Sequence, residues 1–560
     1  MASPALALLL ALAPGCREQR TEGPPPLEPS SKDPAPGAAP GPRAPGSPPA
    51  TPAGAAGRVS LDVSDTGDAG ISPTGARVPH GCEPGGAAAG AAYLFVDAAA
   101  PAGGSGTREA PHRALHDALR AVPKRQRAVL CLAAGDYPEH ASTADDLFAS
   151  GTEITVVGGF QPGTRFAVRD SLRHPTTLKA PDRSHPALQI GNLRSFTLDG
   201  LAITGGLHGV LVKGYSPGRT LTVRNCHISG NGVEGQQGLQ GAGMKLSGGR
   251  VLVEHNLIEA NAGGKGGAGL SISAPPSAEQ NRLEAGVLTL GASLARVSRN
   301  IIQDNVLRHD TAHGVGVSVS MNALIDHNLI RRNRGYPPRE GAGGAAVGGG
   351  IIAQHPGITV TISENRIEDN SAPKAGGGVF IDEGSIGTIV NNVITGNEGI
   401  GAIAVDGRAG GRDEADRTYA TIVHNTVTGN RGEAILVQDA RAVIVNNILW
   451  GNGPADFRLA TNGGLIEAVL ADHNLLSTTG AAAAGLELGS RNLLAREPLF
   501  AAVRDWRPGE KSPALDAGAA QFKPALEYEG ALSAPPATDI DGVKRPQGAG
   551  VDLGAHERAR

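Results

Sequence analysis

The chain reads as an all-β protein, a right-handed parallel β-helix with three short strands per coil and about eleven or twelve coils. Three observations lead there. A nine-residue phrase recurs between 223 and 479, as VRNCHISGN, VEHNLIEAN, VSRNIIQDN, IDHNLIRRN, ISENRIEDN, IVNNVITGN, IVHNTVTGN, IVNNILWGN and the weaker ADHNLLSTT. Each copy joins two runs whose apolar residues alternate, which is the period of a strand and not of a helix. Between copies stands a third run introduced by glycine, such as GAGLSIS, GVGVSVS and GGGVFID. With no helix in the cycle and a period that varies, the coils must stack strand on strand, roughly 4.8 Å apart.

The fourth letter of the phrase is asparagine from the second copy onward: Asn256, Asn300, Asn328, Asn365, Asn392, Asn425, Asn447 and Asn474. Asn tolerates a left-handed backbone better than any residue except Gly, so the expectation is that it occupies the bend between two strands. Stacked on itself it would also form a ladder of side-chain amides. His255, His327, His424 and His473 precede ladder positions on coils that are not adjacent. Exposed turns account for them on this reading.

The chain has 560 residues with 81 Gly, 3% aromatics, a net charge of −4 and a pI near 6.5. That balance excludes a generally basic surface, and with it nucleic acid as a partner. A core poor in aromatics must be filled by stacked Val, Ile, Leu and Ala, which a narrow coil accommodates. A monomer is expected.

In chain order, residues 1–16 are a short apolar run ending in Ala13, Pro14, Gly15 and Cys16. They resemble a bacterial lipoprotein signal, although no Lys or Arg precedes the apolar run. The resemblance implies lipidation at Cys16, a place in the bacterial cell envelope or at the surface, and contact with a membrane through the lipid alone. The plain alternative is a cleaved secretory signal with an incidental cysteine. Residues 17–80, rich in Pro, Ala, Gly and Ser, lack the apolar surface to offset chain entropy and read as a disordered tether.

Residues 81–150 read as an amino-terminal cap and first coil: a strand, a Gly-rich loop, an amphipathic helix with Leu115, Ala118, Leu119 and Val122 on one face, and a second strand. Gly106, Thr107 and Pro111, then Gly135, Tyr137 and Glu139, resemble the opening of many secreted bacterial β-helix proteins. Cys82 and Cys131 each flank one of the cap's strands, so in an oxidising compartment a disulfide would clip them together. Cys226 falls in a repeat slot and is expected as a buried thiol.

The helix proper is assigned to 151–480, with insertions at 274–292, 334–346 and 407–418. Residues 481–560 are assigned to a carboxy-terminal cap. Ser512, Pro513, Asp516 and Gly518, then Asp539, Asp541, Gly542, Arg545 and Pro546, then Asp552, Gly554, Ala555 and Glu557 form a spaced set. It resembles the signature of choice-of-anchor Q domain proteins, which are bacterial surface β-helix proteins with varied anchors. Taken whole, 82–557 is similar to a pectate-lyase-type β-helix.

For chemistry, aligning the glycine-introduced runs by the downstream Asn brings Asp382, Asp406 and Asp439 to nearly one place on three successive coils, after Ser247, Ser273, Ser320 and Gln354. Stacked carboxylates repel, which raises a pKa or invites a cation such as Ca²⁺. Arg408, Arg441 and Glu383 lie close in sequence to these aspartates. Enzymes of the resembled class place carboxylates on one sheet, beside calcium in lyases or as acid and base in hydrolases. Turn aspartates with no substrate are the bland alternative. His309, Asp310 and His313 precede a strand with no third ligand at a fixed spacing, and read as a solvated loop.

Two functions follow. One is a noncatalytic surface protein that binds polysaccharide or another cell-envelope component. The other is a polysaccharide lyase or glycoside hydrolase working on the same face. Sugar sites favour aromatic platforms, and with only Trp450 and Trp506, six Tyr and nine Phe, the noncatalytic reading is preferred.

Overall fold

The computed structural model describes residues 82 and 90–559, apart from 144–150, 192, 214–217, 237, 275–281, 285–286, 290–292, 310–312, 337–345, 408–416, 462–468 and 479–484. Cys16, Asp310 and Arg408 lie outside the described residues.

Three parallel sheets of fourteen, thirteen and eleven strands run the length of a β-helix. They are called the first, second and third sheets below. One coil is a five-residue strand such as Thr220–Arg224 in the first sheet, a three-residue strand such as His227–Ser229 in the second, and a four-residue strand such as Met244–Ser247 in the third. The second sheet gives thirteen coils among the described residues, one more than expected, because short strands at both ends join the stack. At the usual strand spacing that is a rod of about 60 Å.

Register is kept coil after coil. Ile302 pairs with Ile330, Ile330 with Ile367 and Ile367 with Ile394, a single aliphatic stack pointing inward from the second sheet. Alternation supplies two inward residues from the longer strands, as Val360 and Ile362 in the first sheet and Val379 and Ile381 in the third, all buried in one continuous core.

The bend between the first and second sheets corrects the sequence expectation at every rung. Asn256, Asn300, Asn328, Asn365, Asn392, Asn425, Asn447 and Asn474 do not take the left-handed backbone; the residue before each of them does. Those residues are His255 (φ 54°), Arg299 (54°), His327 (55°), Glu364 (56°), Asn391 (55°), His424 (52°), Asn446 (61°) and His473 (51°). Bending one residue early turns the Asn side chain into the core, where all eight are buried.

The expected ladder is present. Each Nδ2 donates to the Oδ1 of the next Asn along the axis: Asn256 to Asn300 (2.9 Å), Asn300 to Asn328 (3.0 Å), Asn328 to Asn365 (2.9 Å), Asn365 to Asn392 (3.0 Å) and Asn392 to Asn425 (3.0 Å). It continues from Asn425 to Asn447 (3.1 Å) and from Asn447 to Asn474 (3.0 Å). Nδ2 also donates to a carbonyl of the preceding coil, while the next Asn's Oδ1 accepts the backbone N–H of the rung before it, as at Asn392 and Asn365. The ladder ends with Asn474 donating to Asn492, and Cys226 opens it by donating its backbone N–H to Asn256.

A second ladder lines the other corner of the three-residue strand. It runs through Asn231, Asn261, Asn305, Asn333, Asn370, Asn397, Asn430 and Asn452, with the same bonds (Asn370 to Asn397 3.0 Å) and a left-handed residue before each, from Gly230 to Gly451. This ladder explains the glycines that introduce the third strand. A Cβ on Gly269 would stand 2.6 Å from the carbonyl of Gly316 and 3.1 Å from Asn305 Nδ2, and Gly316 repeats the conflict with Gly350 and Asn333.

At the amino end, helix Leu115–Ala121 buries the expected Leu115, Ala118, Leu119 and Val122. Glu139 caps it by accepting from the backbone N–H of Leu115 (2.7 Å) and His116 (2.9 Å). The Tyr137 hydroxyl donates to the Ala133 carbonyl. Cys82 and Cys131 form a disulfide, with Cα atoms 6.2 Å apart.

The carboxy-terminal residues do not simply close the end. Leu486–Leu488 and Leu493–Leu494 add a last coil, and the chain then returns along the outside of earlier ones. Ala525 donates to Thr421 Oγ1, Asn446 exchanges bonds with Ala519, and Ala555 donates to Thr426 Oγ1. This strap is tied by the spaced residues of the tail. Arg545, almost fully buried, donates to Glu557 at 3.0 Å and to the Gly554 carbonyl, and Asp539 accepts from Val543 and Glu557. Their spacing is therefore accounted for by the strap's own hydrogen bonds. The strap also covers His424, which is fully buried against Asn446 Nδ2 at 2.9 Å and not at an exposed turn as expected.

Candidate functional site

The alternation that buries Val379 and Ile381 turns Phe380 and Asp382 outward. Repeated on neighbouring coils, it draws two rows along the outer face of the third sheet. One row carries Ile352, Phe380, Ala404 and Leu436, buried with Val347 and Ala375 in an apolar ridge separate from the main core. The other is polar: Ser247, Ser273, Ser320, Gln354, Asp382, Asp406 and Gln438, ending at Ala460. Contacts run along this row, Ser247 Oγ to Ser273 Oγ at 3.1 Å among them.

The strand register corrects one member of the expected column. Asp406 pairs with Gln438, and Asp439 stands one residue further on, in the left-handed corner (φ 46°), bonded to Thr461 Oγ1 at 2.7 Å. Counting back from the ladder Asn misaligned it because the corner between third and first sheets varies in length. Aligning the strands themselves, VFID, IAVD and ILVQ, puts Gln438 in place. Gln438 Nε2 lies 2.9 and 3.0 Å from the two Asp406 oxygens and donates there.

Burial first, then the Asp406 and Glu383 charges, push the Asp382 carboxyl up to about 7. A backbone bond from Glu383 (2.7 Å) and the Lys374 charge oppose the shift. Burial likewise raises Asp406 to about 6, against the Gln438 bond and with Asp439 adding repulsion. Both carboxyls are therefore protonated more readily than an ordinary aspartate, and one of them in its acid form beside the other ionised would offer both a proton donor and an acceptor. Beside it, His313 Nδ1 lies 3.0 Å from Gln354 Oε1, and burial lowers the His313 pKa. Lys374 is the cation common to Asp382, Asp406 and His313, with Lys265 also acting on His313, and neither lysine is marked by the repeat.

The other expected residues do not converge here. Arg441 is exposed at the start of first-sheet strand Arg441–Val445, beside Tyr419 and around the corner from the row. Trp450 packs partly buried against the strap, and Trp506 stacks edge-on with Phe500 (5.3 Å) in the hairpin Phe500–Ala502 and Asp505–Pro508. Neither offers a platform along the third sheet. The donors do not fit calcium well: the third carboxylate is displaced, and where it was expected an amide directs N–H groups at Asp406.

A family profile described as a right-handed β-helix region matches residues 182–354 and 289–475, together more than half of the chain. The chain belongs to that family. No curated protein matches it. Among solved structures, this right-handed β-helix protein is similar to the crystal structure of pectate lyase Pel9A, with a TM-score of 0.37 and 13% identity over 83% of this chain and 96% of the other. Likeness at that level leaves the function of this β-helix to be argued from its own side chains.

Proposed function

We propose that the protein is a tethered envelope or surface protein that binds an extended polysaccharide along the outer face of the third sheet. One observation carries the reading: a register-aligned, partly exposed row of hydroxyl, amide and carboxyl groups from Ser247 to Gln438. A hydroxylated polymer presents donors and acceptors at repeated intervals, and a row of donors and acceptors repeated coil after coil complements it without a deep pocket. Lipidation at Cys16 and the anchoring implied by the choice-of-anchor Q resemblance belong to the same proposal. They would keep the protein at the envelope.

The test is retention of the full chain on immobilised uronic-acid and neutral polysaccharides, with and without Ca²⁺. Binding that weakens in Gln354→Ala and Gln438→Ala supports the reading; retention unaffected by both refutes it. A second reading, hydrolysis or lysis of the polymer, is favoured by the raised pKa values of Asp382 and Asp406. It requires new reducing or unsaturated ends, abolished by Asp406→Ala with the fold retained.

A further inference from the structure

Far from that face, the first coils bring together three potential metal ligands. His140 follows strand Gly135–Tyr137, and Asp182 and His185 lie in the turn after strand Thr176–Lys179, one coil further along. One ligand atom from each falls within 4.8 Å of the others. None of the three belongs to a ladder or to the core, so the fold does not require them to converge.

The hydrogen bonds around the trio fix which atoms are available. His140 Nδ1 lies 3.1 Å from the Pro186 carbonyl, which accepts only, so this nitrogen carries the proton. Nε2 is then a lone pair, and it faces Asp182 Oδ1 at 3.2 Å. Two acceptors that close repel unless a proton or a cation stands between them. That same Asp182 Oδ1 accepts from the Ser184 hydroxyl and from the Ser184 backbone N–H at 2.8 Å, which leaves Oδ2 as a further ligand atom. With its proton used, Ser184 Oγ accepts from His185 Nδ1, 2.8 Å away. His185 is thereby left with Nε2 as a lone pair as well. The two imidazoles meet edge to face at 5.4 Å between centroids. Arg183, within the same turn, is bonded instead to the Gly230 carbonyl.

We propose that His140, Asp182 and His185 bind a divalent transition ion of the zinc type, through His140 Nε2, one imidazole nitrogen of His185 and one carboxylate oxygen. Backbone and hydroxyl partners that pin Nδ1 and free Nε2 are the usual outer shell of such ligands. Two nitrogens and one oxygen suit Zn²⁺ over Ca²⁺ or Mg²⁺, which take oxygen ligands. Three protein ligands leave a fourth position for water or a partner's donor. An ion there would join the first coil to the next across the turn, at the end of the rod that follows the tether in sequence.

The test is titration of the chelator-stripped full chain with Zn²⁺ by calorimetry, and with Co²⁺ by visible absorption, which reports ligand geometry. One ion per chain and a low-symmetry four-coordinate Co²⁺ spectrum are expected. Affinity should fall at least about tenfold in His140→Ala and in His185→Ala. His227→Ala, an exposed histidine paired with Glu259 elsewhere, should change nothing. Absence of binding, affinity unchanged in both site variants, or an equal loss in His227→Ala overturns the proposal. Since the site side chains are half-buried or exposed, circular dichroism of the variants should match the parent. The result is independent of polysaccharide binding.

Discussion

Two columns of polar side chains climb this molecule in the same register, one inside and one outside, and they meet opposite fates. The asparagines stack because a carboxamide carries a donor and an acceptor, so each rung gives to the next and receives from the last. Asp382 and Asp406 have two acceptors each. Neither can give to the other, and burial, with repulsion added, raises both pKa values. A parallel β-helix thus rewards self-complementary side chains and penalises like charges, so a repeated acid where an amide would serve is a departure that calls for explanation.

The strongest challenge to that contrast is to exchange the two chemistries. Asn392→Asp puts acceptors where Nδ2 now gives to Asn425, Ile362 and Val390. It should cost about 4 kcal/mol near neutral pH, read as a lower midpoint in chemical denaturation. Asn392→Ala leaves the Asn365 backbone N–H unpaired and a small cavity, and should cost about 3 kcal/mol. An equal loss from the half-buried terminal rung, Asn492→Ala, would contradict the idea that satisfaction of buried groups sets the cost.

Acid should act on the two sides of the molecule with opposite signs. Burial and the nearby Arg545 charge hold His424 well below its ordinary value, and burial lowers His556 to about 4. Both fold as neutral rings, so the stability they permit is intact above about pH 6.5 and is lost as pH falls toward 4. The hydrogen-exchange protection of residues 512–557, after correction for the slower intrinsic exchange at lower pH, should fall on going from pH 7 to pH 5 by on the order of 2 kcal/mol. Asp382 runs the other way. Its folded pKa lies above the ordinary 3.8, so its penalty is absent below about pH 4 and complete above about pH 7. Asp382→Asn should therefore stabilise the fold by about 1.5 kcal/mol at pH 8, after allowance for solvent, and not at pH 4.

The smallest effect is expected at the start of the inner ladder. Cys226 is buried with its thiol pushed up to about 12, and its neighbour Asn256 already accepts its backbone N–H. Cys226→Asn would add a rung and should raise the unfolding free energy by about 0.5 kcal/mol, read as a higher denaturation midpoint. A loss instead would show that the ladder cannot be extended past Asn256.

Much of this was legible in the chain. The ladder from Asn256 through Asn300, Asn328 and on to Asn447 and Asn474 follows from the repeat, but the bend one residue ahead of each rung does not, since many residue types fill that slot. The same phrase ends in Asn at 231, 261, 305 and onward, so the repeat carries the second ladder as plainly as the first. The aspartate column was legible in part. Asp382 and Asp406 stack as expected, but Asp439 is replaced by Gln438 because strand register, not distance to the next Asn, decides who faces whom. Lys374 and His313 reach the site from segments that precede their strands, where no periodicity marks a partner.

By itself the sequence determined the coil, because alternation and a recurrent Asn act through neighbours in the chain and through identical neighbours one period away. The tertiary structure alone decided which corner residue takes the left-handed bend, how the tail folds back over His424, and that His140 meets Asp182 and His185. Those outcomes depend on how many residues each corner holds and on the direction in which the chain leaves it. They are distances in space, and a repeat unit does not encode them.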